Sequence, residues 1–282
     1  MGLSGLAAET LSVLDAGGYT SPSGRWVDLR DALAKAVRNT RLVRPAEAEA
    51  LAARTWTGTH STSIEVTDEG TADAGRRLAA AGQRVAVLNF ASARNVGGGF
   101  LGGARAQEEE LCRASGLYRC LETQRGYYDA NRAERSALYT DHAIESPDVP
   151  FFRDASRAFV EEPWLLTVLT SPAPNTGALL QQDDAESLAR IEAAFRRRAA
   201  QVLALAREGG HDVLVLGAWG CGAFQGDPEM VSAIFRELLD GPFSGSFERV
   251  VFAVLVKSRR DARNLEAFRR LERRSHPALR SR

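Results

Sequence analysis

An α/β fold whose sheet is covered on both faces is predicted by two features of residues 63–282. Short, continuously apolar runs alternate with amphipathic helical segments, and glycine-rich turns join two of those runs to helices. Unbroken apolar runs, as opposed to apolar–polar alternation, mean that neither face of the sheet meets water. With 44% apolar and 26% charged side chains in 282 residues, the composition is that of an ordinary globular chain. No internal repeat or low-complexity tract interrupts it.

Taken in order, residues 1–62 read as small amphipathic helices, among them 27–42 and the alanine-rich 45–54, forming an accessory cap ahead of a catalytic unit at 63–282. Strands are expected at 64–67, 85–90, 165–170, 213–218 and 250–256, and helices at 71–81, 107–123, 184–208, 228–239 and 260–273. The 184–208 helix is the clearest. Leu188, Ile191, Phe195, Val202 and Ala206 follow the helical period, Asp184 opens it, and Gly209-Gly210 closes it. Residues 125–153, with Tyr127, Tyr128, Tyr139, Pro147 and Pro150, read as a long functional loop.

The 36 basic and 36 acidic side chains cancel, which excludes a protein that coats nucleic acid through a basic surface. Only Lys35 and Lys257 are lysines; the other cations are arginines, which fork onto phosphates and carboxylates but also follow genome base composition. Cys112, Cys120 and Cys221 form no CxxC pair and suit reduced packing thiols. His60, His142, His211 and His276 lack ligand spacing, so neither a metal nor a cofactor is expected. Without a secretory leader or a long apolar span, the expected location is cytoplasmic, away from any membrane.

Chemistry concentrates in one stretch. The run VAVLNF leads through ASARN to Gly97-Gly98-Gly99, then FLGGARA, then Gln107-Glu108-Glu109-Glu110 at a helix start. Strand, glycine loop and helix N-terminus together present backbone N–H groups to an anion. Neither the Walker GK[ST] nor the dinucleotide GxGxxG pattern is met. Leu111, Ala114, Tyr118 and Leu121 mark the buried helix face, and Glu108 lies on its edge with Leu111 and Cys112. An inward carboxylate is costly unless used, and two adjacent ones repel, so one is expected to hold a proton near neutrality as a general acid must. The 213–218 strand runs into a second such loop, Trp219-Gly220-Cys221-Gly222-Ala223-Phe224-Gln225-Gly226-Asp227-Pro228. Two loops at strand carboxyl ends suit the clamping of a diphosphate, with Phe224 placed to stack on a base or ribose.

Gly97-Gly98-Gly99, seven residues, then Gln107-Glu108-Glu109 resembles the GGG…QEE signature of poly(ADP-ribose) glycohydrolases. LNFASARN, SPDVPFFRD (146–154), LTSPAPN (169–175) and LGAWGCGAFQGDP (216–228) are similar to the bacterial, macrodomain-type branch, over most of the chain from residue 63 onward. Val96 departs from the proline of many relatives. The resemblance implies a macrodomain-like three-layer sandwich, a mixed sheet between helices, that cuts ribose–ribose O-glycosidic bonds of poly(ADP-ribose), mainly from the free end, releasing ADP-ribose. It makes Glu109 the acid/base, although helical phase singles out Glu108 as the inward carboxylate. Glu108 would hold ribose hydroxyls, Gln107 would support both, and Asn95 would touch the distal ribose. Gly97, Gly98 and Gly99 would bind the diphosphate together with Gly220, Cys221, Gly222 and Ala223, Val96 would also bind substrate, and Phe224 would pack against the ribose near the scissile bond.

Further expectations concern surroundings and rivals. The cap would close the adenosine side, Thr67-Asp68 would meet adenine, and Arg125, Arg132 and Arg135 with Tyr127 and Tyr128 would contact further polymer or simply form a solvated loop over packed tyrosines. The expected partners are poly(ADP-ribose) and ADP-ribosylated proteins, without sequence-specific nucleic-acid binding, and the protein is expected to be a monomer. A non-catalytic ADP-ribose reader needs no Gln-Glu-Glu, and a mono-ADP-ribosyl hydrolase acting on a protein or nucleobase linkage differs in its leaving group.

Overall fold

A computed structural model describes residues 2–56 and 58–272. The chain opens with α1 (Leu3–Ala16), a ribbon of β1 (Gly18–Thr20) and β2 (Trp26–Asp28), then α2 (Arg30–Asn39), β3 (Arg41–Val43) and α3 (Pro45–Ala52). Next come β4 (Ser63–Thr67), α4 (Thr71–Ala80), β5 (Val85–Phe90), α5 (Gln107–Ala114), α6 (Leu117–Glu122), α7 (Arg125–Ala133), β6 (Ala143–Arg153) and β7 (Phe159–Ser171). The chain continues with α8 (Thr176–Gln181), α9 (Ala185–Leu188), α10 (Ile191–Glu208), β8 (Val213–Leu216), α11 (Pro228–Asp240), β9 (Arg249–Ala253) and α12 (Arg259–Arg269).

Seven strands form one mixed sheet in the order β3-β6-β7-β5-β8-β9-β4. Strands β7, β5, β8, β9 and β4 pair in parallel, and β6 alone runs against its neighbours. The expected two-faced burial is present within single strands. Ala86 and Leu88 of β5 join the core under α3, α10 and α11, while Val85 and Val87 join the core under α4, α5 and α6. The result is the three-layer arrangement expected from the alternation of apolar strands and helices.

Several boundaries differ from expectation. The 125–153 loop is instead α7 and the long strand β6. Its prolines argue against a strand, yet a register shift between Ser146 and Val149 absorbs Pro147-Asp148, with Asp148 at φ 52°. The 107–123 helix breaks at Ser115, whose hydroxyl donates to Leu111 O (2.7 Å) and accepts from Leu117 N (3.1 Å), ending one helix and starting the next. The 27–42 helix is α2 between two short strands. The 184–208 helix begins at Ile191, because Asp184 caps the separate turn α9 by accepting from Ser187 N at 2.9 Å. Arg273, the expected end of the last helix, lies outside the described residues.

The boundary drawn at 62/63 also separates less than expected. From within the first segment, β3 pairs antiparallel with β6 and so supplies an edge strand of the main sheet. α1 packs against α5, with Thr10 Oγ1 donating to Arg113 O at 2.9 Å.

Leu88 is fully buried in the central strand. Its replacement by alanine is expected to destabilise the fold by about 2–5 kcal/mol, read as a lower urea midpoint with an unchanged slope.

Candidate active site

The carboxyl ends of all five parallel strands open into one cavity of about 1000 Å³, whose walls include Gly70 after β4, Ser92 after β5, Ala173 after β7, Gly220 after β8 and Leu255 after β9. Such a crevice beyond parallel strand ends is where open α/β sheets bind ligands. β5 and β8 are hydrogen-bonded neighbours, so their two glycine loops stand side by side. The sequence places each loop after a strand; the pairing brings them together.

The first loop is defined by what it must avoid. Gly97 and Gly98 both sit at φ 61°, a left-handed conformation that glycine adopts without strain. A Cβ on Gly98 would overlap Glu109 Oε1 and lie 2.9 Å from Glu108 Oε2, so both carboxylates converge on this one residue. A Cβ on Gly97 would meet the Tyr118 ring at 2.9 Å.

Each glutamate is buried and supplied with donors. Glu108, 2% exposed, accepts from Ser92 N at 2.8 Å and from Asn89 Nδ2 at 3.2 Å. Glu109, 6% exposed, accepts from Gly99 N at 2.7 Å through Oε1 and from Ala106 N at 3.2 Å through Oε2. The latter bond is the reach of a third-position glutamate back to its helix cap. Glu109 therefore ties the glycine loop to the start of α5. Desolvation, with a smaller contribution from the neighbouring Glu109, raises the Glu108 carboxyl to about 8. Helical phase indicated Glu108 as the inward carboxylate; the structure buries both.

Gln107 is a brace. Its Oε1 accepts from Phe90 N at 2.8 Å, and its Nε2 donates to Leu88 O at 2.8 Å and Thr71 Oγ1 at 3.1 Å. These bonds lock the N-terminus of α5 against the end of β5 and the start of α4. Asn89, absent from the sequence reading, is fully buried and joins Glu108 to Thr170 Oγ1 (3.2 Å). The available signal was an amide inside an otherwise apolar strand, which burial makes costly unless it is hydrogen-bonded.

The second loop is anchored by Trp219, fully buried, whose Nε1 donates to Ser171 O at 3.2 Å and whose ring meets Phe195 edge-on at 5.3 Å. Gly220, at φ 78°, has its carbonyl taken by Gly226 N at 2.9 Å, which closes the loop on itself. Arg260 Nη1 donates to Gly222 O at 3.2 Å.

Of the sequence-derived site residues, Asn95, Gly98, Gly99, Gln107, Glu108, Glu109, Gly220, Gly222, Ala223 and Phe224 line the cavity. Val96 packs on the core under α5, Cys221 is buried in the core under α11, and Gly97 lies behind the lining, against Tyr118 and Cys112. Thr67 and Asp68 do not line it either. Asp68 Oδ1 accepts from Val256 N at 2.7 Å, so it joins the loops after β4 and β9, and Gly70 and Leu255 form that wall. Tyr127 and Tyr128 lie on the buried face of α7, which agrees with the packed-tyrosine alternative; Arg132 pairs with Asp129 at 2.9 Å. No described residue of 1–62 lines the cavity, so the first segment does not close it. α1 stands behind the glycine loop, with Ser4 N 2.8 Å from where a Gly103 Cβ would be.

The raised Glu108 pKa has a stability consequence. Between about 4.5 and 8 the unfolded chain gives up this proton while the folded chain retains it, so stability falls as pH rises through that window. Across it, the Tm of the unaltered protein is expected to decline relative to that of Glu108→Gln, which mimics the protonated acid; identical pH profiles would contradict the assignment.

Comparison with known proteins follows the same geometry. The family model described as microbial-type PARG (poly(ADP-ribose) glycohydrolase), catalytic domain, matches residues 7–154. The solved poly(ADP-ribose) glycohydrolase of Thermomonospora curvata is 47% identical over 95% of this chain and 98% of its own, with a TM-score of 0.90. Its form bound to the inhibitor ADP-HPD is 48% identical over 95% and 98%, with a TM-score of 0.88. The Deinococcus radiodurans enzyme in complex with ADP-ribose is 48% identical over 86% and 97%, with a TM-score of 0.81. No curated protein sequence matches the chain. A matching catalytic-domain model over more than half the chain and near-complete structural overlap at this identity place the protein in the microbial-type poly(ADP-ribose) glycohydrolase family.

Proposed function

We propose that the protein hydrolyses the ribose–ribose O-glycosidic bond of poly(ADP-ribose) and releases ADP-ribose, mainly from the free end. The observation that carries this reading is the convergence of two buried carboxylates on Gly98, inside a cavity walled by two glycine loops. A cavity of about 1000 Å³ suits one ADP-ribose, and among the solved relatives one is in complex with ADP-ribose and another is bound to the inhibitor ADP-HPD. With the diphosphate between the loops, adenosine lies toward Gly70 and Leu255 and the distal ribose lies at Asn95 and the glutamates. The end-trimming preference rests on the wall that Asp68 pins at the adenosine end, in place of the N-terminal segment expected to close it.

In the proposed reaction Glu109 donates its proton to the leaving 2′ oxygen as the C1″–O bond breaks, leaving an oxocarbenium-like ribose. Water then adds to C1″ and returns a proton to Glu109. Glu108, deeper and held by Asn89 and Ser92, binds ribose hydroxyls, and Gln107 keeps both carboxylates in register with the loop. The same reading makes the protein a cytoplasmic monomer acting on polymer carried by ADP-ribosylated proteins; its three buried free cysteines suit a reducing compartment.

Incubation with poly(ADP-ribose) is expected to yield mono-ADP-ribose as the main product. Release only from mono-modified substrates, or binding without release, would favour a mono-ADP-ribosyl hydrolase or a reader. Glu109→Gln is expected to lose roughly 10²–10⁴-fold in turnover yet still bind ADP-ribose. Gly98→Ala, which drives a methyl into both carboxylates, should fall at least ~100-fold by the same measure; wild-type turnover in either variant would refute the carboxylate assignment.

A further inference from the structure

The rim of the cavity carries an arginine and a tyrosine that the site described above does not use. Arg94 is exposed, beside the cavity-lining Asn95, and its guanidinium lies 5.8 Å from the centroid of the Tyr139 ring. Among the described residues no carboxylate pairs with Arg94. The Tyr139 ring is in turn 6.2 Å from that of Phe224, tilted by 49°. The three side chains thus run from the neighbour of cavity-lining Asn95 to Phe224, which lines the cavity from the second loop.

This placement is enforced from beneath. Tyr139 sits at φ 62°, which an L residue rarely adopts and which persists where its surroundings over-determine it. Here Arg198, 1% exposed, donates to Leu138 O (2.7 Å), Tyr139 O (2.9 Å) and Pro172 O (2.9 Å), and its charge is matched by Asp141 at 2.7 Å. Arg132 Nε donates to Arg94 O at 2.9 Å, so α7 holds the Arg94 backbone.

Building on the proposed function, we infer that Arg94, Tyr139 and the outer edge of Phe224 form a subsite for the next ADP-ribose unit of the polymer, the one that carries the leaving 2′ oxygen. The scissile bond lies at the Glu109 end, so this unit emerges between Asn95 and Phe224 and its adenosine meets the rim. Its adenine offers an aromatic face to Tyr139 and to the planar guanidinium, and its diphosphate is an anion for a cation that has no acidic partner among the described residues. A chain of zero formal charge exerts little long-range pull on a polyanion, which leaves the task of holding the polymer to local contacts of this kind.

The test compares calorimetric binding of a two-unit ADP-ribose oligomer and of free ADP-ribose in a Glu109→Gln background. The oligomer is expected to bind more tightly, and Arg94→Ala to weaken it roughly tenfold, as loss of one stacked, charged contact does. Affinity for free ADP-ribose should change by less than about twofold, because that ligand does not reach the rim. Tyr139→Leu should repeat the pattern, and Arg94→Lys, which keeps the charge but not the plane, should fall between. Equal weakening of both ligands, or an oligomer bound no more tightly than ADP-ribose, overturns the subsite. So does a defect confined to mono-ADP-ribosylated protein substrates, which would assign the rim to the protein carrier. Polymer digestion by the unaltered protein separates the two readings: no ADP-ribose release overturns the proposed function, whereas release with oligomer affinity indifferent to Arg94 overturns the subsite alone.

Discussion

Two carboxylates taken out of water must be given donors, and this requirement organises the molecule around its cavity. The backbone N–H groups of Ser92, Gly99 and Ala106 and the amide of Asn89 satisfy Glu108 and Glu109. Those donors sit at the end of β5, in the glycine loop and at the cap of α5, so satisfying the acids fixes strand, loop and helix against one another. Gln107 repeats the lock from the other side, with all its bonds directed at β5 and α4. Gly98 is the point of closest approach, and only a residue without a side chain fits between its backbone and both acids.

The same constraint supplies the chemistry. Burial that would merely be costly for a structural glutamate lifts Glu108 to about 8. The raised carboxyl stands beside a loop whose own N–H groups are already engaged: Gly98 N donates to Asn95 O at 3.0 Å and Gly99 N to Glu109 at 2.7 Å.

Among the 34 arginines of the chain, three act from inside. Arg113, Arg153 and Arg198 are almost wholly buried, and each donates to backbone carbonyls: Ala104 O, Arg157 O, and the group around Tyr139, respectively. A planar fork of donors suits this role, since one side chain can satisfy several carbonyls whose strands or helices have ended. These three arginines scaffold loops, whereas Arg94 is exposed beside the cavity-lining Asn95.

What the sequence determined by itself is local: apolar runs that make buried strands, periodic stripes that make helices, and glycines followed at fixed distance by Gln-Glu-Glu. Each arises from contacts within a few residues, and the strand cores at β4, β5, β8 and β9 were legible for that reason. The concealed elements depended on distant partners. β6 tolerates its prolines because β7 pairs around a bulge, and Ser115 breaks a helix while bridging to Phe151. Likewise, β3 joins the main sheet only because β6 is there to receive it. The tertiary structure alone decided that β5 and β8 are neighbours, that α1 backs the glycine loop instead of roofing the cavity, and that Val96 and Cys221 face the core. Strand pairing and burial are set by hydrogen bonds and packing between segments far apart in the chain, and no local period encodes which segments will meet.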